Sequence, residues 1–418
     1  GDRVMGAAAL AHTVLFAGYA LGMGLVSAVA PLASQAFGAR RPRLVRRSVR
    51  VGLWAALLAG VPLTALQLWC GEDILIALGQ PQDAAELAGR YLAALAWCLV
   101  PSWAFIALRN FMSALNRPEP GLWITLAAIP LNGVLGYTLI YGTLGAPRLG
   151  IFGAGVATTL VNIAMCGAAV WFAYAHHPFK KFRVLGRFWR ADWILLRRLL
   201  VVGLPISAAF LLEFGLFAAA ALLMGRIGAT ALAAHAIALQ TAAILFMVPF
   251  GISLAATVRV GHAAGRRDPG GTRRAGFAAI WLAGVFMAAM TLAVAVFRHV
   301  VPRLFLGAEA QAATETASLA ATLLAVGATF FVTDGLQTVV AGALRGLNDT
   351  RVPLLAAVVG YWLAGFGASY GLALVLGFGA IGVWAGLSVG TTVFALLLLW
   401  RFHALTRAGY LPAAPGSA

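Results

Sequence analysis

Two carboxylic acids lie inside apolar segments, where an ionised side chain is energetically unfavourable. Glu213 is the one charged residue of the stretch AAFLLEFGLFAAAALL. Asp334 follows ATFFVT and precedes GLQTVVAGAL, a stretch without another charged residue. An ionised group at the centre of a bilayer costs about 3 kcal/mol on insertion scales, so such groups face the protein interior and usually have a function. The alternative interpretation is a neutral carboxylic acid that only hydrogen-bonds a neighbouring helix.

A pair of carboxylates has a specific chemistry. Like charges raise each other's proton affinity, whereas a bound cation lowers it. Protons, Na+ and an organic cation can therefore compete for one site, and a shared site that opens alternately to each side of a membrane is sufficient for antiport. Hard oxygen ligands favour Na+ or H+ over soft metals. We therefore interpret Glu213 and Asp334 as cation- or proton-coupling residues and as candidate Na+ ligands.

Four further residues are candidates for a substrate cavity. Gln337 lies three residues after Asp334 and so shares its helix face. Asn132 and Asn162 either line a cavity or form hydrogen bonds between helices. Phe246 could offer a π face to a cation. The sequence contains no HExxH pair, no Walker loop with its lysine and no recognisable set of nucleophile, base and metal ligands, so we expect no enzymatic activity and no cofactor.

The elements that carry these residues are apolar helices. Of 418 residues, 62% are hydrophobic and 10% are charged, far from the roughly one quarter of charged residues in soluble domains. Segments of about 20 apolar residues can each cross about 30 Å of hydrocarbon. We predict an all-α polytopic membrane protein with eleven spans, at approximately residues 8–37, 48–70, 88–115, 120–143, 149–175, 199–224, 229–264, 275–300, 314–344, 352–374 and 378–402.

The net charge of +17 does not indicate a nucleic-acid partner. The basic residues occupy alternate connections between helices, namely residues 40–50, 180–198 and 266–274. This distribution is typical of cytoplasmic loops, and it also favours contact with anionic lipid head groups of the bilayer. We predict a cytoplasmic C-terminus and a location in a bacterial inner membrane.

The two halves of the sequence repeat each other. The stretch after Gly24 matches the stretch after Gly251, and MSALNRP resembles LRGLNDT. We predict an N-terminal lobe of five helices at residues 1–175, a basic cytoplasmic linker at 176–198 and a C-terminal lobe of six helices at 199–418. The Glu213 helix has no counterpart in the first half, so a twelfth helix is expected before Gly1. Repeats of this kind recur in secondary transporters.

Several motifs together resemble the multidrug and toxic compound extrusion (MATE) family, and most closely its NorM-like branch. They are VGLPISAAFLLEFGLF, ATALAAHAIALQ, FMVPFGISLAATVRVGHAAG, DGLQTVVAGALRGLNDTRVP, PLASQAFGARR, LRNFMSALNRP and PLNGVLGYTLIYG. The resemblance implies two pseudo-symmetric six-helix lobes around a V-shaped cavity. It also implies export of amphipathic, often cationic compounds against Na+ or H+, with Glu213 and Asp334 at an acidic cation site in the second lobe.

Two departures from the family pattern affect the expected site. Gly136 stands where many relatives have Asn or Asp, and residues 229–264 contain no tyrosine, which some relatives add to the second-lobe site. We expect a monomeric multidrug antiporter. The alternatives are a lipid-linked oligosaccharide flippase of the same superfamily, expected to line its cavity with arginines for pyrophosphate, and a nonfunctional truncated transporter.

Overall fold

The computed structural model describes residues 2–77, 81–143, 145, 147–186, 188–190, 192–307 and 314–412, with side chains from residue 11 onward. Arg187 of the predicted basic linker lies outside this part of the chain. The described residues form helices, turns and loops without a β-strand, because their long runs of Ala, Leu, Val and Phe satisfy the backbone within each segment, as a bilayer requires. The predicted all-α class is confirmed.

The fold separates into two compact units, one ending at Ser207 and one beginning at Ala208. The helices before the division are α1 (Asp2–Ser27), α2 (Val29–Gly38), α3 (Pro42–Ala77), α4 (Gln82–Ala96), α5 (Leu99–Ala114), α6 (Glu119–Tyr141) and α7 (Gly150–Ala175). Helix α8 (Trp193–Ile227) contains the division.

The second unit continues with α9 (Ala229–Gly265), α10 (Pro269–Val296), α11 (Val301–Leu306), α12 (Thr314–Val326), α13 (Ala328–Gly346) and α14 (Arg351–Ala357). A π-helical segment (Val358–Phe366), α15 (Gly367–Tyr370), a second π-helical segment (Gly371–Val375) and α16 (Gly379–Arg407) complete it.

Eleven segments of the described chain are suited to crossing a membrane. Nine are continuous and apolar, and two more are bent pairs: α4 with α5, which meet at 41°, and α12 with α13, which meet at 52°. Counting each bent pair as one span gives the eleven predicted crossings. The bends themselves were not predicted, because apolar composition continues through both breaks.

The first unit packs around Trp103 of α5, whose side chain is fully buried. Gly22 of α1 lies directly against this indole, and a Cβ at that position would overlap the ring. Small residues let helix backbones approach closely where no water drives apolar association. Near the start of α8, the Asp192 carboxylate accepts a hydrogen bond from Arg47 at 2.5 Å and one from the Leu195 amide at 3.3 Å, which caps the helix.

The second unit has an aromatic core. The rings of Phe330, Phe331 and Trp384 meet edge to face, with centroids 5.4 to 6.1 Å apart. Trp384 donates its indole hydrogen to Nδ1 of the buried His235 at 3.2 Å. This core holds α9, α13 and α16 together around one face of α13.

The backbone repeats at the positions that the sequence repeat pairs. Arg40 and Arg267 both have left-handed φ angles, 55° and 61°, and so do Asn116 and Asn348, 58° and 59°. Each residue follows the end of a helix, where a left-handed residue commonly caps the last turn. The two units therefore share local geometry at corresponding helix ends.

Candidate functional site

Helices α8 and α13 position the two predicted coupling residues in the second unit. Glu213 lies in the middle of α8, where its neighbours are apolar, and is half-buried. Asp334 lies in the second turn of α13 and is 6% exposed. Two glycines of α13 allow its buried face to lie close to other helices: a Cβ on Gly342 would overlap Ser253 of α9, and Gly335 lies against Met287 of α10.

Hydrogen bonds fix the Asp334 side chain in place. The Gln337 amide, 3% exposed, donates to Asp334 Oδ1 at 3.1 Å and to Thr338 Oγ1 at 3.0 Å. The Thr338 hydroxyl donates in turn to the Asp334 backbone carbonyl at 2.9 Å. One carboxylate oxygen is thus held by an amide, which fixes the orientation of the group.

The structure brings Glu213, Asp334 and Gln337 together. Glu213 interacts with Asp334 as a like charge and with the Gln337 side chain as a hydrogen-bonding group. Two carboxylates with an amide between them offer several hard oxygen ligands in one place. Such a set suits a proton or a monovalent cation, because neutralising one carboxylate relieves the repulsion of the other.

The site contains a tyrosine, Tyr361, which lies outside residues 229–264. Residues 229–264 lack a tyrosine, whereas Tyr361 comes from the π-helical segment Val358–Phe366. Its side chain is 1% exposed, its ring lies 4.7 Å from that of Phe394, and its hydroxyl interacts with Glu213 and Asp334. By strict geometry the hydroxyl has no hydrogen-bond partner among the described residues. Its oxygen is therefore available to a cation held by the two carboxylates.

The π-helical segment also fixes α8 beside it. The Trp362 indole donates to the Leu212 carbonyl, next to Glu213, at 3.2 Å. A Cβ on Gly215 would lie 3.1 Å from the same indole, so glycine lets the ring pack closely. π-Helical turns occur frequently at functional sites, and here one turn supplies both Tyr361 and Trp362.

Arg345 is the second residue that sequence reasoning missed. It lies in the last turn of α13, half-buried, with its guanidinium 5.1 Å from the centre of the Phe210 ring. It interacts electrostatically with Glu213 and Tyr361. The available signal was its spacing: eleven residues after Asp334 is about three turns, so both residues face the same side of α13.

The remaining predicted candidates make other contacts. Asn132 is exposed on α6. Asn162 donates to the Thr158 carbonyl of its own helix at 2.9 Å, so this hydrogen bond lies within α7 and not between helices. Phe246 of α9 stacks on Phe250 with centroids 5.8 Å apart. These three residues stay candidates for substrate contact.

The chain is similar to known proteins over most of its length. The MatE family profile matches residues 1–138 and 205–370. The chain is 62% identical over 407 residues to the probable multidrug resistance protein NorM of Rhodopseudomonas palustris, covering 97% of this chain and 85% of that protein. It is 55% identical over 407 residues to the protein of the same name in Bradyrhizobium diazoefficiens, covering 97% and 87%.

Solved structures share the fold. The eukaryotic MATE transporter AtDTX14 superimposes with a TM-score of 0.83 at 23% identity, covering 98% of this chain and 90% of that one. A MATE crystal structure in the bent conformation gives a TM-score of 0.86 at 21% identity, with the same coverage. The predicted MATE-like fold is therefore confirmed.

Proposed function

The chain belongs to the MatE family of multidrug efflux transporters, and from this we propose that it is a secondary active exporter. It exchanges amphipathic organic cations or drugs for Na+ or H+ by alternating access. The protein is an integral membrane protein. In this proposal it acts as a monomer in a bacterial inner membrane, with a cytoplasmic C-terminus and no cofactor other than the coupling ion.

The observation that carries the proposal is the pairing of Glu213 with Asp334 beside the Tyr361 hydroxyl. Binding of the coupling ion neutralises part of the carboxylate charge and so weakens the attraction for an organic cation. Conversely, an organic cation bound near these carboxylates lowers their affinity for the coupling ion, because such linkage is reciprocal. The two cations therefore exclude each other electrostatically, which is the requirement for exchange rather than co-transport.

The charge of the site favours export of organic cations over the alternative function, a lipid-linked oligosaccharide flippase. A pyrophosphate carrier needs a cluster of arginines facing its cargo. The described site of the second unit instead contains two carboxylates, and its arginine, Arg345, interacts with one of them. Its negative charge favours a cationic substrate.

Efflux from proteoliposomes tests the proposal. The 418-residue chain is reconstituted and efflux of a fluorescent lipophilic cation is followed under an imposed Na+ gradient and, separately, a pH gradient. We expect one gradient to drive efflux, and Glu213→Gln, which removes the charge but keeps the shape, to abolish the coupling. The matched control is Glu315→Gln, at an exposed position in the first turn of α12, which should transport normally. Unchanged coupled transport by the Glu213 variant would reject the assigned role.

A further inference from the structure

Arg345 places a fixed positive charge beside the carboxylate pair. Its guanidinium lies 5.1 Å from the centre of the Phe210 ring, and Phe210 precedes Glu213 by three residues, or about one helical turn. The contact is of the cation–π type. The aromatic ring therefore holds the guanidinium close to Glu213, with which it interacts electrostatically.

The same geometry keeps the guanidinium away from Asp334. Arg345 lies eleven residues after Asp334, a rise of about 16 Å along α13. Its electrostatic partners are Glu213 and Tyr361. The Asp334 carboxylate is thus left to a transported cation.

The charges can be counted. Arginine stays protonated in proteins, so Arg345 contributes one positive charge, while Glu213 and Asp334 contribute two negative charges when ionised. Tyr361, the other titratable group among the described residues that interacts with them, is neutral as a phenol. Net charge away from water is energetically unfavourable, whereas a neutral, hydrogen-bonded set is tolerated. A single monovalent cation completes the neutral set.

We propose that Arg345 is an internal counter-cation that limits this site to one transported monovalent cation at a time, so that one coupling ion exchanges for one organic cation. The inference rests on the proposed function of Glu213 and Asp334, and it adds the stoichiometry of the exchange. Without the guanidinium, neutrality would require two small coupling ions, whereas one bulky organic cation would fill the site in their place, so the exchange would become two for one. Arg345 therefore sets the stoichiometry of exchange through charge rather than by touching the cargo.

Measurement of the balance point of transport tests this stoichiometry. The full chain is reconstituted in proteoliposomes with opposing gradients of tetraphenylphosphonium and of the coupling ion, and the ratios at which net flux vanishes are determined at several imposed membrane potentials. In one-for-one exchange of monovalent cations, equal concentration ratios balance at every potential. In exchange of two coupling ions for one organic cation, net flux vanishes when the tetraphenylphosphonium ratio equals the square of the ion ratio. This balance point shifts with the membrane potential.

We expect the unchanged protein and Arg345→Lys to balance at equal ratios, independently of potential. We expect Arg345→Gln to balance at the squared ratio and to become voltage-dependent. The matched control is Arg303→Gln, an exposed arginine on α11, which should behave like the unchanged protein.

Three outcomes would overturn the inference. The first is a squared, voltage-dependent balance point in the unchanged protein, which needs no variant and so covers the case in which Arg345→Gln fails to fold. The second is a folded Arg345→Gln protein that still balances at equal ratios. The third is absence of transport by the unchanged protein under either gradient, which contradicts the proposed function as well. Loss of coupling in Glu213→Gln supports the proposed function only. The stoichiometry is tested by the Arg345 variants.

Discussion

The side-chain amide of Gln337 donates to Asp334 Oδ1 at 3.1 Å while both residues are buried in the second unit. A hydrogen bond to a charged group contributes about 1.5 to 3 kcal/mol, so this contact holds one oxygen of the carboxylate in a fixed orientation. The other oxygen is left to a cation or a proton.

The first prediction concerns this hydrogen bond. Replacing Gln337 with Ala removes the donor, and the less ordered Asp334 carboxylate should bind the coupling ion more weakly. We expect the half-saturating concentration of the coupling ion to rise about tenfold, which corresponds to about 1.4 kcal/mol. The measurement is the ion dependence of efflux from proteoliposomes. Gln240→Ala, at an exposed position of α9, is the control, and an ion dependence equal to that of the control would contradict the prediction.

The second prediction concerns the Tyr361 hydroxyl. Tyr361→Phe keeps the ring against Phe394 and removes a buried hydroxyl that has no partner of strict hydrogen-bond geometry. Thermal stability should therefore be unchanged or slightly higher, because an unsatisfied buried group is lost. The coupling-ion affinity should fall several-fold, since the hydroxyl interacts with Glu213 and Asp334.

Two measurements on purified protein separate these effects, namely the Tm and the ion dependence of efflux. Tyr370→Phe, at an exposed position, provides the comparison. A large drop in Tm together with normal ion dependence would show that the hydroxyl has a structural role only.

The third prediction concerns the close approach of α9 and α13. Gly342→Ala places a methyl group on Ser253, so one helix has to shift, and overpacking of this kind typically costs about 1 to 3 kcal/mol. We expect a lower Tm in detergent. Gly251→Ala is the control, because a Cβ there meets no atom within 4 Å and alanine favours a helix over glycine by about 1 kcal/mol. Equal stability of the two variants would exclude a packing role for Gly342.

The fourth prediction concerns pH and the Arg47 and Asp192 pair of the first unit. Burial acts to raise the pKa of the Asp192 carboxyl, but the hydrogen bonds from Arg47 and the Leu195 amide outweigh it, so the pKa lies below its ordinary value of 3.8. Because the pKa is lower in the folded state, the ion pair stabilises the protein at pH values above the ordinary pKa of the carboxyl. This contribution is lost as the pH falls through the lower, folded-state value.

The variant Asp192→Asn tests this pH dependence of stability, because asparagine removes the charge but can still cap α8. Arg47 is half exposed, so the loss at neutral pH should stay below about 1 kcal/mol, seen as a small decrease in Tm that vanishes in strong acid. The control is Glu86→Gln, in the exposed pair of Glu86 with Arg90. Its Tm should change little at neutral pH or in strong acid. A Tm difference between Asp192→Asn and the unchanged protein that grows as the pH falls would contradict the lowered pKa of Asp192.

Much of the site could be anticipated because its chemistry is visible locally. Glu213 and Asp334 stand out as carboxylates within apolar sequence, and Gln337 follows from the helical period, since residues three apart share a face. The eleven crossings follow from segment length and composition. The paired helix ends at Arg40 and Arg267 follow from the repeat, because similar sequences cap helices in the same way.

Other features depend on which distant segments meet. Tyr361 and Arg345 lie on segments that are ordinary in composition, and their role arises only where the π-helical turn and the end of α13 pack against α8. The bends in the two helix pairs and the intrahelical bond of Asn162 are equally invisible in composition. Hydrophobic patterning thus determined the class of protein and its acidic residues. Tertiary structure decided which donor and which positive charge stand beside those acids, because pairing between distant helices depends on helix rotation and close packing rather than on local sequence.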